Sequence, residues 1–367
     1  MASTDEVRVL AGSGVCGAGF RAESLEEGMG KKPHFIGCDG GSTDPGPFPL
    51  GSGQTSFAKT SIKRDMRLML LAARKAKIPL LLGTAGTAGG IPHVQAARDI
   101  LMEIAEEENL KFPLAVIHAE QDKEYLKKRL REGRIKPLDP APHFDEETID
   151  KSERIVGMMG EEPFMKALDN GAEVVLTGRS SDCAIYAGLP IRNGIPEGIA
   201  WHAAKILECG TAAVEQRKSS DSLFATCRND HFVIEALDDT LRCTPQSVAS
   251  HSLYENADPF RLIESNGTMD LSGSQYEALD DKRVRVSNSA FEPADRYTVK
   301  LEGAELVGYQ TIVIGGVRDP YILRQLDSWI EKIYASVHKR VHDVYGDAIS
   351  QDDYVFNIRV YGRDGVM

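Results

Sequence analysis

The 367-residue chain has no apolar stretch approaching the roughly 18–20 residues needed to cross a bilayer, which excludes a helical membrane span on sequence grounds. Its first residues, Met1-Ala2-Ser3-Thr4-Asp5-Glu6, lack a basic segment followed by an apolar run, so no secretory signal is visible. The six cysteines (Cys16, Cys38, Cys183, Cys209, Cys227 and Cys243) form no C-x-x-C pair. Without a signal, they read as reduced thiols, not as a disulfide frame or a zinc site. No His/Asp/Glu spacing fits a metal site either, so no protein-built metal is expected. Positive charge is in deficit: 43 basic residues face 55 acidic ones, for a formal charge of −12. That argues against nucleic acid or an anionic membrane as the main partner, while a local basic pocket could still hold a small anion. Neither internal repeats nor low-complexity tracts occur. The cytoplasm is the expected compartment.

The composition itself, 42% hydrophobic and 27% charged, is that of a globular protein with one large or two medium cores. Short apolar runs at Val7–Ala11, Phe35–Cys38, Pro79–Gly83, Pro113–Ile117 and Val174–Thr177 alternate with helical patterns. Ile62, Met66, Met69, Leu70 and Ala73 recur at helical spacing, as do Val94, Ala97, Ile100, Leu101 and Ile104. A further helix is expected from an Asp145 cap to Asn170-Gly171. This alternation predicts an α/β fold with a largely parallel, doubly wound, Rossmann-like sheet.

Beyond Leu223 the texture changes. Phe232–Leu237, Ser247–Tyr254, Arg283–Ser287, Tyr297–Leu301 and Thr311–Ile314 read as strands. They are followed by a long helix, Pro320–Tyr345, capped by Asp319 and striped with Leu326, Trp329, Ile333 and Val337. That stripe is expected to be buried on those strands. The domains are therefore placed at 1–218 (α/β) and 219–367 (α+β). Tyr354–Tyr361 reads as a strand and Gly362-Arg363-Asp364-Gly365 as a turn into another element, so a C-terminal piece is expected beyond Met367.

The richest information follows the strands. Gly12-Ser13-Gly14-Val15-Cys16-Gly17-Ala18-Gly19, Asp39-Gly40-Gly41-Ser42-Thr43-Asp44-Pro45-Gly46-Pro47, Gly83-Thr84-Ala85-Gly86-Thr87-Ala88-Gly89-Gly90 and Thr177-Gly178-Arg179-Ser180-Ser181-Asp182-Cys183 would all emerge at the carboxyl edge of a parallel sheet. Glycine with hydroxyls and carboxylates suits the approach of backbone N–H groups to an oxygen-rich ligand. One crevice is expected, with Gly12, Gly14, Gly17, Gly40, Gly41, Thr84, Gly86, Thr87, Arg179 and Ser180 binding substrate. Asp39, Asp44, Ser42, Thr43, Ser181, Asp182 and His93 are the candidates for chemistry.

Single motifs say less. Gly12-x-Gly14-x-x-Gly17 follows a strand as an NAD fingerprint should, and Asp39 has the spacing of a ribose-binding acid, but Phe20–Lys32 with Gly28 and Gly30 makes a poor helix. The rival reading is a tight turn. Asp39-Gly40-Gly41-Ser42-Thr43-Asp44 resembles the first ATP-phosphate loop of the actin-like sugar-kinase and hydantoinase superfamily, yet runs into three prolines; an Asx turn explains it as well. Arg179 offers a fork to a carboxylate or phosphate, or else clamps Asp182. His93 at a helix start would be held neutral by the helix dipole. His118 and Glu120 end a strand, His202 reads as a packed histidine, and Cys183 lacks a nearby base.

Several segments together resemble the acyclic terpene utilisation protein A family: Phe35–Pro47 with Leu50-Gly51-Ser52-Gly53, Gly83-Thr84-Ala85-Gly86, Thr177–Asp182, Leu253-Tyr254-Glu255-Asn256-Ala257-Asp258-Pro259 and Asn357–Arg363. The resemblance implies a catabolic role toward branched acyclic acids and acyl-CoA esters, and members longer than this chain. It carries over no catalytic residue.

Two functions follow. The first is a lyase, hydratase or hydrolase acting on a small carboxylate or its CoA ester, with Arg179 and loop amides holding the anion and Asp39 or Asp44 as general base. The second is a nucleotide- or acyl-binding subunit dependent on a partner. No cofactor is assigned with certainty; a CoA thioester is a candidate substrate, and NAD or ATP, each resting on one loop, stays open as the less favoured alternative. The expected assembly is a homo-oligomer, with room for a small second subunit.

Overall fold

The computed structural model describes residues 5–138, 140 and 143–363. It divides into two compact units, 1–306 and 307–367. The first contains strands β1 (Glu6–Ala11), β2 (Phe35–Asp39), β3 (Leu80–Gly83), β4 (Leu114–Ile117), β5 (Ser152–Gly157), β6 (Val174–Thr177), β7 (Leu223–Arg228), β8 (His231–Ala236), β9 (Arg261–Glu264), β10 (Gly267–Asp270), β11 (Gln275–Ala278), β12 (Arg283–Ser287), β13 (Ala290–Pro293) and β14 (Leu301–Glu305).

Nine of these make one mixed sheet in the order β11-β12-β8-β7-β1-β2-β3-β6-β4. The β1-β2-β3-β6-β4 half is parallel. The β11-β12-β8-β7 half is antiparallel and joins through β7 paired against β1. The sheet is thus parallel only in part. The strands at 223–236 and 275–287, expected in a separate domain, extend the first sheet; the division into compact units falls at Leu306/Val307, not at 218/219.

Both faces of the parallel strands are apolar, which is why they read as continuous runs and not as alternations. Leu10, Ile36, Leu80, Leu82 and Leu176 pack with Met66, Met69 and Leu70 of helix Lys59–Ala76 and with Val94, Ile100 and Leu101 of helix Ile91–Glu107. Val9, Phe35, Leu81 and Val175 pack with Ile185 and Tyr186 of helix Ala184–Arg192 and with Trp201 and Ala204 of helix Glu197–Leu207. Both periodic stripes seen in the sequence are buried as expected.

Local signals account for the departures. Ala22–Gly30 is a helix despite Gly28, whose missing side chain is needed: a Cβ there would lie 2.6 Å from Leu10 Cδ1. Asp145 does cap a helix, accepting from the Thr148 amide at 2.8 Å, but that helix is only Glu146–Lys151; β5 intervenes before helix Glu162–Asp169. Ser247–Tyr254, expected as a strand, lies largely in helix Pro245–Ser252, begun by a Thr244–Ser247 capping box with proline at its first position. The strand expected at Tyr297–Leu301 begins at Leu301.

In the second unit Asp319 caps helix Pro320–Arg324 through the Tyr321 amide (2.8 Å), and helix Leu326–Tyr345 follows after a break at Gln325. No residue of Leu326–Tyr345 is buried, so the burial expected for its apolar stripe is not found. Thr311–Ile314 and Tyr354–Tyr361 carry no strand pairing among the described residues. Tyr334 ties the latter segment locally, its hydroxyl accepting from the Ile358 amide at 3.1 Å.

Candidate functional site

Because β1, β2, β3 and β6 are neighbours, the loops leaving their carboxyl ends lie side by side and bond to one another. The Cys16 amide donates to the Asp39 carbonyl (2.7 Å), Gly40 to Gly83 (2.9 Å), Thr87 to Gly40 (3.0 Å), Ala85 to Thr177 (2.9 Å) and Arg179 to Gly89 (3.3 Å). The glycines serve this loop-on-loop packing. Gly41, at φ 142°, would bring a Cβ within 2.5 Å of Thr87 Cα, and Gly89, at φ 67°, within 2.1 Å of the Arg179 nitrogen. Thr84 and Thr87 also take positive φ, 37° and 90°, backbone strain held by the surrounding bonds.

This packing changes the role of several expected ligand contacts. The amides of Gly17 and Gly19 donate to Asp65 Oδ2 at 2.9 and 3.0 Å, so an internal carboxylate occupies the donors a pyrophosphate would use. Gly12 gives its amide to the Gly37 carbonyl and accepts from the Ser222 hydroxyl, while Gly14 lies against the Cys209 carbonyl. Gly86 packs on His93.

Arg179 is 3% exposed and its fork is closed on Glu302 of β14, Nε to Oε2 at 2.7 Å. Its Nη1 reaches Asp182 Oδ1 (3.0 Å) and the Ser180 carbonyl (3.1 Å). The guanidinium offered by the sequence to a ligand is thus engaged within the protein. Thr84 Oγ1 receives the Ser180 amide at 3.3 Å, and Thr87 Oγ1 the Ser56 amide at 2.8 Å.

His93 is fully buried, with Nε2 against the Pro49 and Gln54 carbonyls (3.0 and 3.1 Å); burial, not the helix dipole, leads in lowering its pKa. It fastens the 49–54 segment. Glu120 caps the same helix through the Ile91 amide (2.8 Å), and His118 is exposed. His202 is buried between the Ser289 and Ser252 hydroxyls (2.7 and 2.9 Å), a packed histidine as expected.

What the loops do gather is acid. Asp39 is 4% exposed and its Oδ1 is buried without a partner. Burial, then the charge of Asp182, push its carboxyl well above the usual range, against the opposing pull of Arg179 and a hydrogen bond from the Gly41 amide. Asp182 is raised by burial despite Arg179. Ser181 is buried, Ser42 and Thr43 are half-buried, and Asp44 is exposed at the rim.

Sequence reasoning missed the opposite wall. Glu208 is pushed up to about 7 and Glu264 to about 8, both by burial first. Lys205 pairs with Glu208 Oε1, and Cys183 Sγ donates to Glu208 Oε2 at 3.1 Å. Burial opposes the Lys205 charge, yet Glu208 outweighs it and the ammonium is raised. The signal was present: Lys205 interrupts the apolar run Ile199–Leu207, and Glu208, three residues on, ends it. Glu208, Cys209 and His251 also place one ligand atom each within 4.8 Å of one another, a grouping that chain spacing could not reveal.

The family model of acyclic terpene utilisation family protein AtuA matches residues 52–216 and 224–350. The chain belongs to this family. Comparison with curated proteins and with solved structures finds no match. Membership implies a role in acyclic terpene catabolism, and the matched segments carry Arg179, Asp182, Lys205, Glu208, His251 and Glu264. No helix among the described residues is long and apolar enough to cross a membrane.

Proposed function

We propose that this family member is a cytoplasmic enzyme performing acid–base lyase or hydratase chemistry on a small branched carboxylate or its acyl-CoA ester. The observation that carries the reading is Asp39: a buried carboxyl with an unpartnered oxygen, its proton affinity raised by burial and by Asp182, where four strand-end loops meet. Two carboxyls set apart in proton affinity are suited to opposite roles. Asp182, with 23% of its side chain exposed, takes the proton from the carbon next to the substrate carbonyl. The released pair forms the carbon–carbon double bond as the β-oxygen leaves, protonated by Asp39 as water; hydration is the reverse. Thr43 and Ser42 at the rim orient the acyl group. The helices on both faces of the parallel strands support a doubly wound reading of that half, and a homo-oligomer belongs to the same proposal.

The test is turnover by the full chain, with branched enoyl-CoA thioesters and their free acids as substrates. Asp39→Asn and Asp182→Asn should each lose about 10²-fold or more with the fold retained. Wild-type rates in both would sink the reading, whereas thioester binding without turnover by the unaltered chain would favour the partner-dependent binding subunit.

A further inference from the structure

We propose that Glu208, Cys209 and His251 bind a divalent transition-metal ion of the zinc class in the wall of the crevice. Glu208 and Cys209 follow the end of helix Glu197–Leu207, and His251 lies in the last turn of helix Pro245–Ser252. Their ligand atoms, one each, already lie within 4.8 Å of one another. A tetrahedral ion with bonds of about 2.0–2.3 Å sets its ligands roughly 3.3–3.8 Å apart, so modest side-chain rotation closes the shell.

An independent observation points to the same place. His251 is 5% exposed, and its Nε2 is buried with no hydrogen-bond partner. A buried imidazole nitrogen left bare costs free energy that a metal bond would recover.

The backbone beneath the site is fixed. The Cys209 carbonyl lies where a Cβ on Gly14 would come within 2.6 Å, and Gly210, at φ 54°, leaves a Cβ no room beside the Asp221 carbonyl, also at 2.6 Å. Both close approaches are open only to glycine. The ligand set is one thiolate, one imidazole and one carboxylate, which selects zinc, cobalt or a similar ion over magnesium and calcium. Three protein ligands leave a fourth position for water or a substrate oxygen, and Cys209 is only half-buried. Glu208 keeps Lys205 on one oxygen and shares the other between the ion and the Cys183 thiol. Binding releases the Cys209 thiol proton to solvent.

The inference does not rest on the proposed reaction, and its test reads metal, not turnover. The full chain is stripped with a chelator and titrated with Co²⁺, then competed with Zn²⁺. The expected result is one equivalent of cobalt with a thiolate-to-cobalt charge-transfer band that zinc abolishes. The band should vanish in Cys209→Ser, persist in the control Cys227→Ser, and require about 10–100-fold more cobalt in His251→Ala. Circular dichroism establishes that each variant is folded. Should His251→Ala fail to fold, the wild-type and Cys209→Ser spectra still decide. A folded wild type without the band, or a band that survives Cys209→Ser, overturns the proposal.

Discussion

Arg179 and Glu302, far apart in sequence, meet as a fork on a carboxylate, with Nε 2.7 Å from Oε2 and Nη2 3.5 Å from Oε1. The contact ties β14 to the mouth of β6, and Asp182 takes a third position on the same guanidinium at 3.0 Å. Burial opposes the arginine's charge, but the two carboxylates more than offset it and its pKa is raised.

Replacing this arginine is therefore expected to act on stability. Lysine cannot make both bonds to Glu302, and Arg179→Lys should lose about 1.5–3 kcal/mol in urea unfolding. Arg179→Met leaves Asp182 without its ion-pair partner and Glu302 with Lys300 alone, and should cost about 3–5 kcal/mol. Unaltered stability together with weakened ligand binding would restore the ligand-anchor reading.

Asp65 gives a second test. Its side chain is buried in helix Lys59–Ala76 and accepts the Gly17 and Gly19 amides. Asp65→Ala leaves both donors without an acceptor, at about 1–3 kcal/mol for each one that stays buried. Amide exchange at Gly17 and Gly19 should accelerate well beyond exchange in β1. Unchanged protection there would mean that the loop is held by other bonds.

These two contacts show where sequence reading stops. The parallel strands and their helices were legible because each is a short apolar run or a 3.6-residue stripe, signals contained in one window. The convergence of the glycine loops followed from the same pattern. The purpose of the glycines did not, because Gly41 is required by Thr87 and Gly89 by Arg179, neighbours supplied by the fold. Ser247–Tyr254 looked extended by composition, yet Thr244-Pro245 is a helix start, a local cue that outweighs propensity. The antiparallel strands were partly visible, but nothing in β7 says that it pairs with β1. Glu302, Glu208 and His251 reach the crevice through long-range packing alone.

His202 predicts a pH dependence. Fully buried between Ser289 and Ser252, with Tyr276 as a further hydroxyl neighbour, it is pulled by burial to about 3, and no charged group adds to the shift. In the unfolded chain the same imidazole titrates near ~6.5. Between these values the unfolded state binds a proton that the native state refuses, so stability falls as pH drops from ~6.5 toward 3 and is unaffected by this group above that range. His202→Gln should flatten the acid limb of the stability profile. An acid limb of unchanged steepness in that variant would show that His202 is not the group responsible.

Asp39 has the opposite sign. Its folded pKa is raised, chiefly by burial, so the native state retains a proton that the unfolded chain gives up near ~3.9. The stability it contributes is complete below that value and declines as pH rises toward the folded pKa. An asparagine has nearly the same shape and no proton to lose. Asp39→Asn should therefore match the wild type near pH ~3.5 and become the more stable of the two as pH increases, the gap levelling off above the folded pKa. Urea unfolding of both proteins across that range gives the difference directly. If the wild type instead gained on Asp39→Asn with rising pH, Asp39 would be an ionised partner of Arg179, and the buried acid on which the proposed proton transfer depends would not exist.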